Sequence, residues 1–178
     1  MPRPLRADAQ RNRDRLVEVA LDAFTTEGGD VTLEAIAKRA GVGIGTLYRH
    51  FPTREALAEA VYRTELAKLC DAVPDLLRTL PPDEATRAWM DLFVEYMNTK
   101  QGMGDALRAV IASGGDPYAQ SKERLTEAMG ALLAAMDRPD VDPVHVIAAI
   151  AGIALTLPDV GPADGMLDLV LDGLRYRP

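Results

Sequence analysis

The stretch Thr32 to Phe51, TLEAIAKRAGVGIGTLYRHF, constrains this chain more than any other, because it predicts two short helices joined by a glycine-bearing turn. Leu33, Ile36, Ala37 and Ala40 recur at helical spacing on one face, Thr32 stands just before them as an N-cap, and Glu34 falls in the first turn. Gly41 stops that helix. A residue one past a helix end commonly needs positive φ, which glycine accepts without Cβ strain, and Val42 beside it can fold back onto the apolar face. A second helix is predicted from Ile44 to His50. Its inward residues are Leu47 and, one turn later, Phe51, which leaves Thr46, Tyr48, Arg49 and His50 facing outward or sideways. Hydroxyl, guanidinium and imidazole groups of this kind bind phosphate and base edges. Two helices crossing at such a turn make a helix-turn-helix, whose second helix enters the major groove of DNA.

The rest of the chain reads as helix alone, so the expected class is all-α, with about nine helices. Residues 1–7 are expected to form a disordered arm. A first helix is predicted over Asp8–Thr26, with Leu16, Ala20, Ala23 and Phe24 inward and Gly28 and Gly29 at its end. Pro52 then breaks the chain and Thr53 caps a long helix reaching about Val73, burying Leu57, Val61, Leu66 and Leu69. Leu76–Leu80 is a short piece left out of the helix count. Further helices are predicted over Glu84–Lys100, Asp105–Ser113, Tyr118–Met136, Pro143–Leu157 and Pro162–Leu174, with a loop at 158–165. Asp142 is placed to cap the fourth of these, and Pro143 occupies its first position, where a missing N–H costs nothing. Two domains are expected: a head over 1–52 and a helical body over 53–178, linked by the helix from Thr53.

At 178 residues and 48% hydrophobic content the chain can bury a real core. The single cysteine, Cys70, excludes an intrachain disulfide and fits a reducing cytosol. The N-terminal MPRPLRADAQRNRD has no apolar targeting segment, and no run reaches the ~18–20 apolar residues of a membrane span. A cytoplasmic protein without a membrane partner is expected. The net charge of −7 is unusual for a DNA binder until its distribution is considered. Residues 1–50 carry 8 Lys+Arg against 7 Asp+Glu, whereas 51–178 carry 12 against 20. The acid is therefore in the body, and Arg3, Arg6, Arg11, Arg13 and Arg15 crowd the front of a near-neutral head.

LVEVALDAFTTEGG (Leu16 to Gly29), VTLEAIAKRAGVGIGTLYRHF (Val31 to Phe51) and TREAL (Thr53 to Leu57) together resemble the DNA-binding head of the TetR family of bacterial transcriptional regulators. The resemblance covers roughly the first third of the chain. It implies that basic residues opening the first helix lie near DNA, that Thr46, Tyr48 and His50 touch it, and that Arg54 stands where a backbone-contacting lysine is frequent. Two departures from the family pattern stand out. Gly43 replaces a usual serine or alanine, so the second motif helix lacks a hydroxyl cap, and Ile44 replaces a residue that is commonly polar. The set expected at DNA is Arg6, Thr32, Gly43, Ile44, Gly45, Thr46, Tyr48, Arg49, His50 and Arg54.

Enzymatic readings are thin. Gly41, Gly43 and Gly45 mimic a dinucleotide fingerprint, but they follow a helix rather than a strand, and Thr46 and Tyr48 occupy the positions of the final glycine. His50, His145, Ser113, Ser121 and Cys70 show no spacing of a metal or nucleophilic site. No catalysis, metal or cofactor is expected. Trp89, Phe93, Tyr96, Met97, Met103 and Met129 are the candidate lining of a cavity for an apolar or aromatic effector, since soft and aromatic side chains concentrate in that region; each alone is ordinary core material. Val144–Leu157 is apolar nearly all round and must be covered on both sides. By the resemblance, it and the last helix pair with their two-fold mates in a homodimer. The expectation is a homodimeric repressor that binds a palindromic operator and is released by a small molecule. The alternative is a helical ligand-binding or interaction module whose helix-turn-helix is only structural.

Overall fold

Caps and helix-stopping residues set the element order. The computed structural model describes residues 3–27, 30–160 and 163–176, and the side chains of these except 3–6, 157–160 and 164. The described secondary structure is helical throughout: α1 (Arg3–Glu27), α2 (Leu33–Arg39), α3 (Ile44–His50), α4 (Arg54–Asp71), α5 (Val73–Thr79), α6 (Pro82–Gly102), α7 (Gly104–Ala112), α8 (Ser121–Ala135), α9 (Pro143–Val160) and α10 (Asp164–Arg175). The all-α expectation holds, and the short piece set aside in the sequence is a helix in its own right.

Proline accounts for most boundary differences. The arm expected over 1–7 is helical from Arg3, because Pro4 falls in the first turn, where no donor is needed. Pro74 starts a helix rather than ending one, sitting in the first turn of α5 while α4 stops at Asp71. Helix α9 passes through Pro158 to Val160, past the end expected at Leu157, although the proline supplies no donor to the preceding turn. Residues 118–120 are turn, so α8 begins at Ser121. Gly28, Gly29 and Pro162, expected at helix ends, lie outside the described residues.

The chain divides into two compact units. The first comprises residues 1–64 with 99–117, the second 65–98 with 118–178. The head expected over 1–52 falls within the first unit, which also takes in the start of α4 and all of α7. Its core is Leu16, Ala20, Ala23 and Phe24 of α1 with Ile36, Leu47, Leu57 and Val61, all fully buried. Gly102 makes a close approach here: a Cβ would lie 3.2 Å from the Thr25 side chain of α1, which would have to shift by a few tenths of an ångström. In the second unit Trp89, Met90 and Phe93 of α6, Met129, Leu132 and Leu133 of α8, Ile150 and Ala154 of α9, and Leu167 of α10 form the core. Around it Arg87 pairs with Asp168 at 2.7 Å, Arg124 with Asp71 at 2.9 Å, and Arg175 with Asp83 at 2.5 Å, joining helices distant in sequence.

Candidate nucleic-acid interface

The motif turn is built as its residues predict. The Thr32 hydroxyl accepts from the Ala35 N–H at 3.2 Å, capping α2. At the other end Gly41 adopts φ +67°, the Gly41 N–H reaches the Lys38 carbonyl at 3.1 Å, and the Val42 N–H reaches the Ala37 carbonyl at 3.0 Å. That pair of reversed bonds is a Schellman closure, which only a left-handed residue permits. Gly43 then caps α3 by backbone alone, with no side-chain bond.

Helix α3 rests on Leu47, which is fully buried, and on Phe51, which is buried just past its end. Opposite them Ile44, Gly45, Tyr48 and Arg49 are exposed, and Thr46 and His50 are half-buried at the sides. Arg49 is not splayed into solvent. Its Nε donates to the Gly45 carbonyl at 3.1 Å and its Nη2 to the Thr46 hydroxyl at 3.0 Å. One edge of the guanidinium is thus held along the helix, and the charge stays on the outer surface.

Four contacts that local spacing did not reveal tie the elements of the head together. The Arg13 guanidinium lies 5.2 Å from the centre of the Phe51 ring, and that of Arg54 lies 4.9 Å from the centre of Phe24. Arg54 also donates to the Val31 carbonyl. The residue expected at a DNA phosphate is therefore engaged inside the head. Arg39 of α2 and Glu27 of α1 form a two-pronged ion pair, with Nη2 to Oε2 at 3.0 Å. The Arg39 hydrogen bond is the main reason the Glu27 carboxyl titrates below its ordinary value of 4.5. These partners lie far apart in sequence and leave no periodic signal. Arg6 lies outside the described side chains.

Residues 16–61 match the sequence profile of bacterial regulatory proteins of the tetR family, and residues 81–176 match that of the SbtR-like transcriptional regulator C-terminal domain. A TetR transcriptional regulator of Streptomyces coelicolor has 52% identity, spans 93% of this chain and 99% of its own, and superposes with a TM-score of 0.85. The chain belongs to the TetR family of transcriptional regulators. A second member, from Mycobacterium vanbaalenii, is 35% identical over 97% of this chain and 100% of its own, with a TM-score of 0.78. Curated HTH-type transcriptional regulators of Staphylococcus aureus are 41% identical over 63 residues, so the match spans about a third of their length, 34%, and 35% of this chain. Among the described residues, no helix is long and apolar enough to cross a membrane.

In this TetR-family regulator the expected effector lining is closed. Trp89, Phe93 and Met129 are fully or almost fully buried, and Tyr96 and Met97 are buried with them. The rings of Trp89 and Phe93 are 5.6 Å apart and those of Phe93 and Tyr96 6.0 Å apart, and the Trp89 indole N–H donates to the Leu69 carbonyl at 3.0 Å. Met103 occupies the N-cap position of α7, in the first unit. Open grooves of about 300 and 570 Å³ lie elsewhere on the second unit: the first is lined by Pro82, Met136 and Leu174, the second by Glu84, Asp168 and Asp172, and Arg175 borders both. The α9 face carrying Val146, Ile150 and Ala154 is buried, while Val144, Ala148, Ala149, Gly152 and Leu155 are exposed. On α10, Leu167 and Leu171 are buried and Leu169 is 73% exposed.

Proposed function

We propose that this regulator is a homodimeric repressor that binds a palindromic operator through α3 and is released by a small apolar or aromatic effector. One observation carries the reading: the outward face of α3 presents Tyr48, Arg49, Thr46 and His50 above a buried Leu47. Those are groups that contact phosphate and base edges, on an element of the geometry that fits a major groove. Dimerisation is supported by the second face of α9 and by Leu169 on α10, apolar surfaces left in water by the single chain. A two-fold pairing of these helices would cover both and give one molecule two copies of α3, as a palindromic operator requires.

Effector binding falls to Trp89, Phe93, Tyr96, Met97 and Met129. Unbranched methionine side chains repack around a guest at low cost, so a closed cluster can admit one. Helix α4 starts beside α3 and continues into the second unit, so its tilt is the means of coupling. Linkage makes DNA and effector oppose each other by typically ~1–3 kcal/mol.

The test is a binding titration with duplex DNA flanking the protein's own gene, repeated at several salt concentrations. A sequence-selective complex with two protomers per site, weakening steeply with salt, is expected. Absence of binding to any duplex would leave the helix-turn-helix a structural hairpin, and binding that is equal for all duplexes would overturn the palindromic operator.

A further inference from the structure

We infer that Ile44 reads the C5-methyl group of a thymine in the operator, and that Gly43 and Gly45 are the clearance that lets it reach the base. The inference rests on the DNA-binding reading above. Among the described residues of the head, Val19, Leu21 and Val42 are half-buried, and the large hydrophobic side chains that are exposed are Ile44, at 37%, and Tyr48, at 45%, both on α3. Ile44 is the first residue of that helix, and N-terminal residues of a recognition helix are those that meet base edges. Its side chain has neither donor nor acceptor. The apolar group that a base edge offers in the major groove is the thymine methyl, so an aliphatic side chain placed there has one base to distinguish.

The flanking glycines have no structural reason to be glycine. Gly43 has φ −68° and ψ 144°, extended backbone open to any residue. A Cβ added at Gly43 or at Gly45 would meet no atom within 4 Å. Gly45 lies inside a helix, where glycine weakens the element that carries it. Two residues that fold and packing do not require, on either side of an exposed isoleucine, leave the surface bare on both sides of its side chain. A bare backbone can press closer to the groove floor than one carrying side chains. Arg49 reinforces the arrangement, because its bond to the Gly45 carbonyl keeps its long side chain along the helix.

The experiment uses the full-length protein and a duplex selected by it from random sequences. Each thymine of that duplex is replaced singly by deoxyuridine, which removes the methyl and nothing else. Wild type is expected to lose about three- to fivefold in affinity at one position of each half-site, the size of one buried methyl, and Ile44→Ala to bind thymine and uracil there equally. Gly45→Ala should weaken every duplex while its melting temperature holds or rises, since alanine favours the helix. If no deoxyuridine position separates wild type from Ile44→Ala, Ile44 packs on sugar or nothing, and the inference falls while operator binding stands. If wild type selects no duplex at all, operator binding fails and takes the inference with it. Circular dichroism of both variants keeps folding out of the comparison.

Discussion

Helices α3 and α9 each leave one face in water, and the two faces differ in kind. That of α3 mixes Ile44 and Tyr48 with Thr46, Arg49 and His50, whereas that of α9 is Val144, Ala148, Ala149, Gly152 and Leu155, with His145 and Thr156 as its polar members. A face of mixed hydroxyl, cation and aromatic groups suits a partner whose surface alternates phosphate and base edges. A face made mainly of small apolar groups suits another helix at close range, because most of it gains nothing from water. Exposure alone therefore does not identify a partner; the chemistry of the exposed groups does.

Both faces depend on the cores beneath them, and emptying those cores has the largest effects. Trp89→Ala removes a fully buried ring and its bond to Leu69, and should cost ~3–5 kcal/mol in denaturant unfolding. The effector concentration that releases DNA should change with it, and an unchanged response would take Trp89 out of the effector lining. Leu47→Ala beneath α3 should cost ~2–5 kcal/mol and abolish DNA binding by loosening the head. Hydrogen exchange localised to α2 and α3 would check it, and full protection there would mean that the faces of α3 are wrongly assigned.

Two substitutions then act on the faces themselves. Gly152→Glu puts a carboxylate on α9 where an added Cβ meets no atom within 4 Å, so the single chain should fold normally. A buried unpaired charge costs several kcal/mol, so the dimer should weaken by at least ~100-fold in sedimentation equilibrium. An undisturbed dimer would place the interface elsewhere. Tyr48→Ala should lower operator affinity by ~1–3 kcal/mol with melting unchanged, because its ring and hydroxyl are exposed. Were the head to unfold instead, the contrast between the two faces would be lost.

The smallest effect concerns acid. Arg39 holds the Glu27 carboxyl below its ordinary 4.5, so the pair stabilises the head fully above that pH and its contribution is lost as pH falls through the folded value. Glu27→Gln should therefore melt slightly lower than wild type at neutral pH and equally in strong acid. Both groups are near half-exposed, which keeps the effect small. A gap that persists at low pH would show that the glutamine disturbs packing and not charge.

Local rules were enough for the helix-turn-helix. Thr32, Gly41, Leu47 and Phe51 state cap, stop and buried face within a few residues of one another, and Thr53 and Asp142 cap α4 and α9, with bonds of 3.1 and 2.9 Å to the N–H groups of Ala56 and Val144. Prolines were harder to read, because Pro4, Pro74 and Pro158 break a helix or join one according to which turn they occupy. The aromatic and methionine residues of α6 and α8 were legible as apolar but not as closed or open, since both arrangements share one periodicity.

The sequence by itself determined the helical class, the outward groups of α3 and the all-round apolarity of α9, because each follows from spacing along one helix. Tertiary structure decided the rest. It engaged Arg54 on Phe24 and the Val31 carbonyl, set Arg13 over Phe51, and closed Trp89 against Leu69. It also chose which face of α9 to bury. Those outcomes depend on partners many residues away, which meet only when the chain folds and which no local pattern encodes.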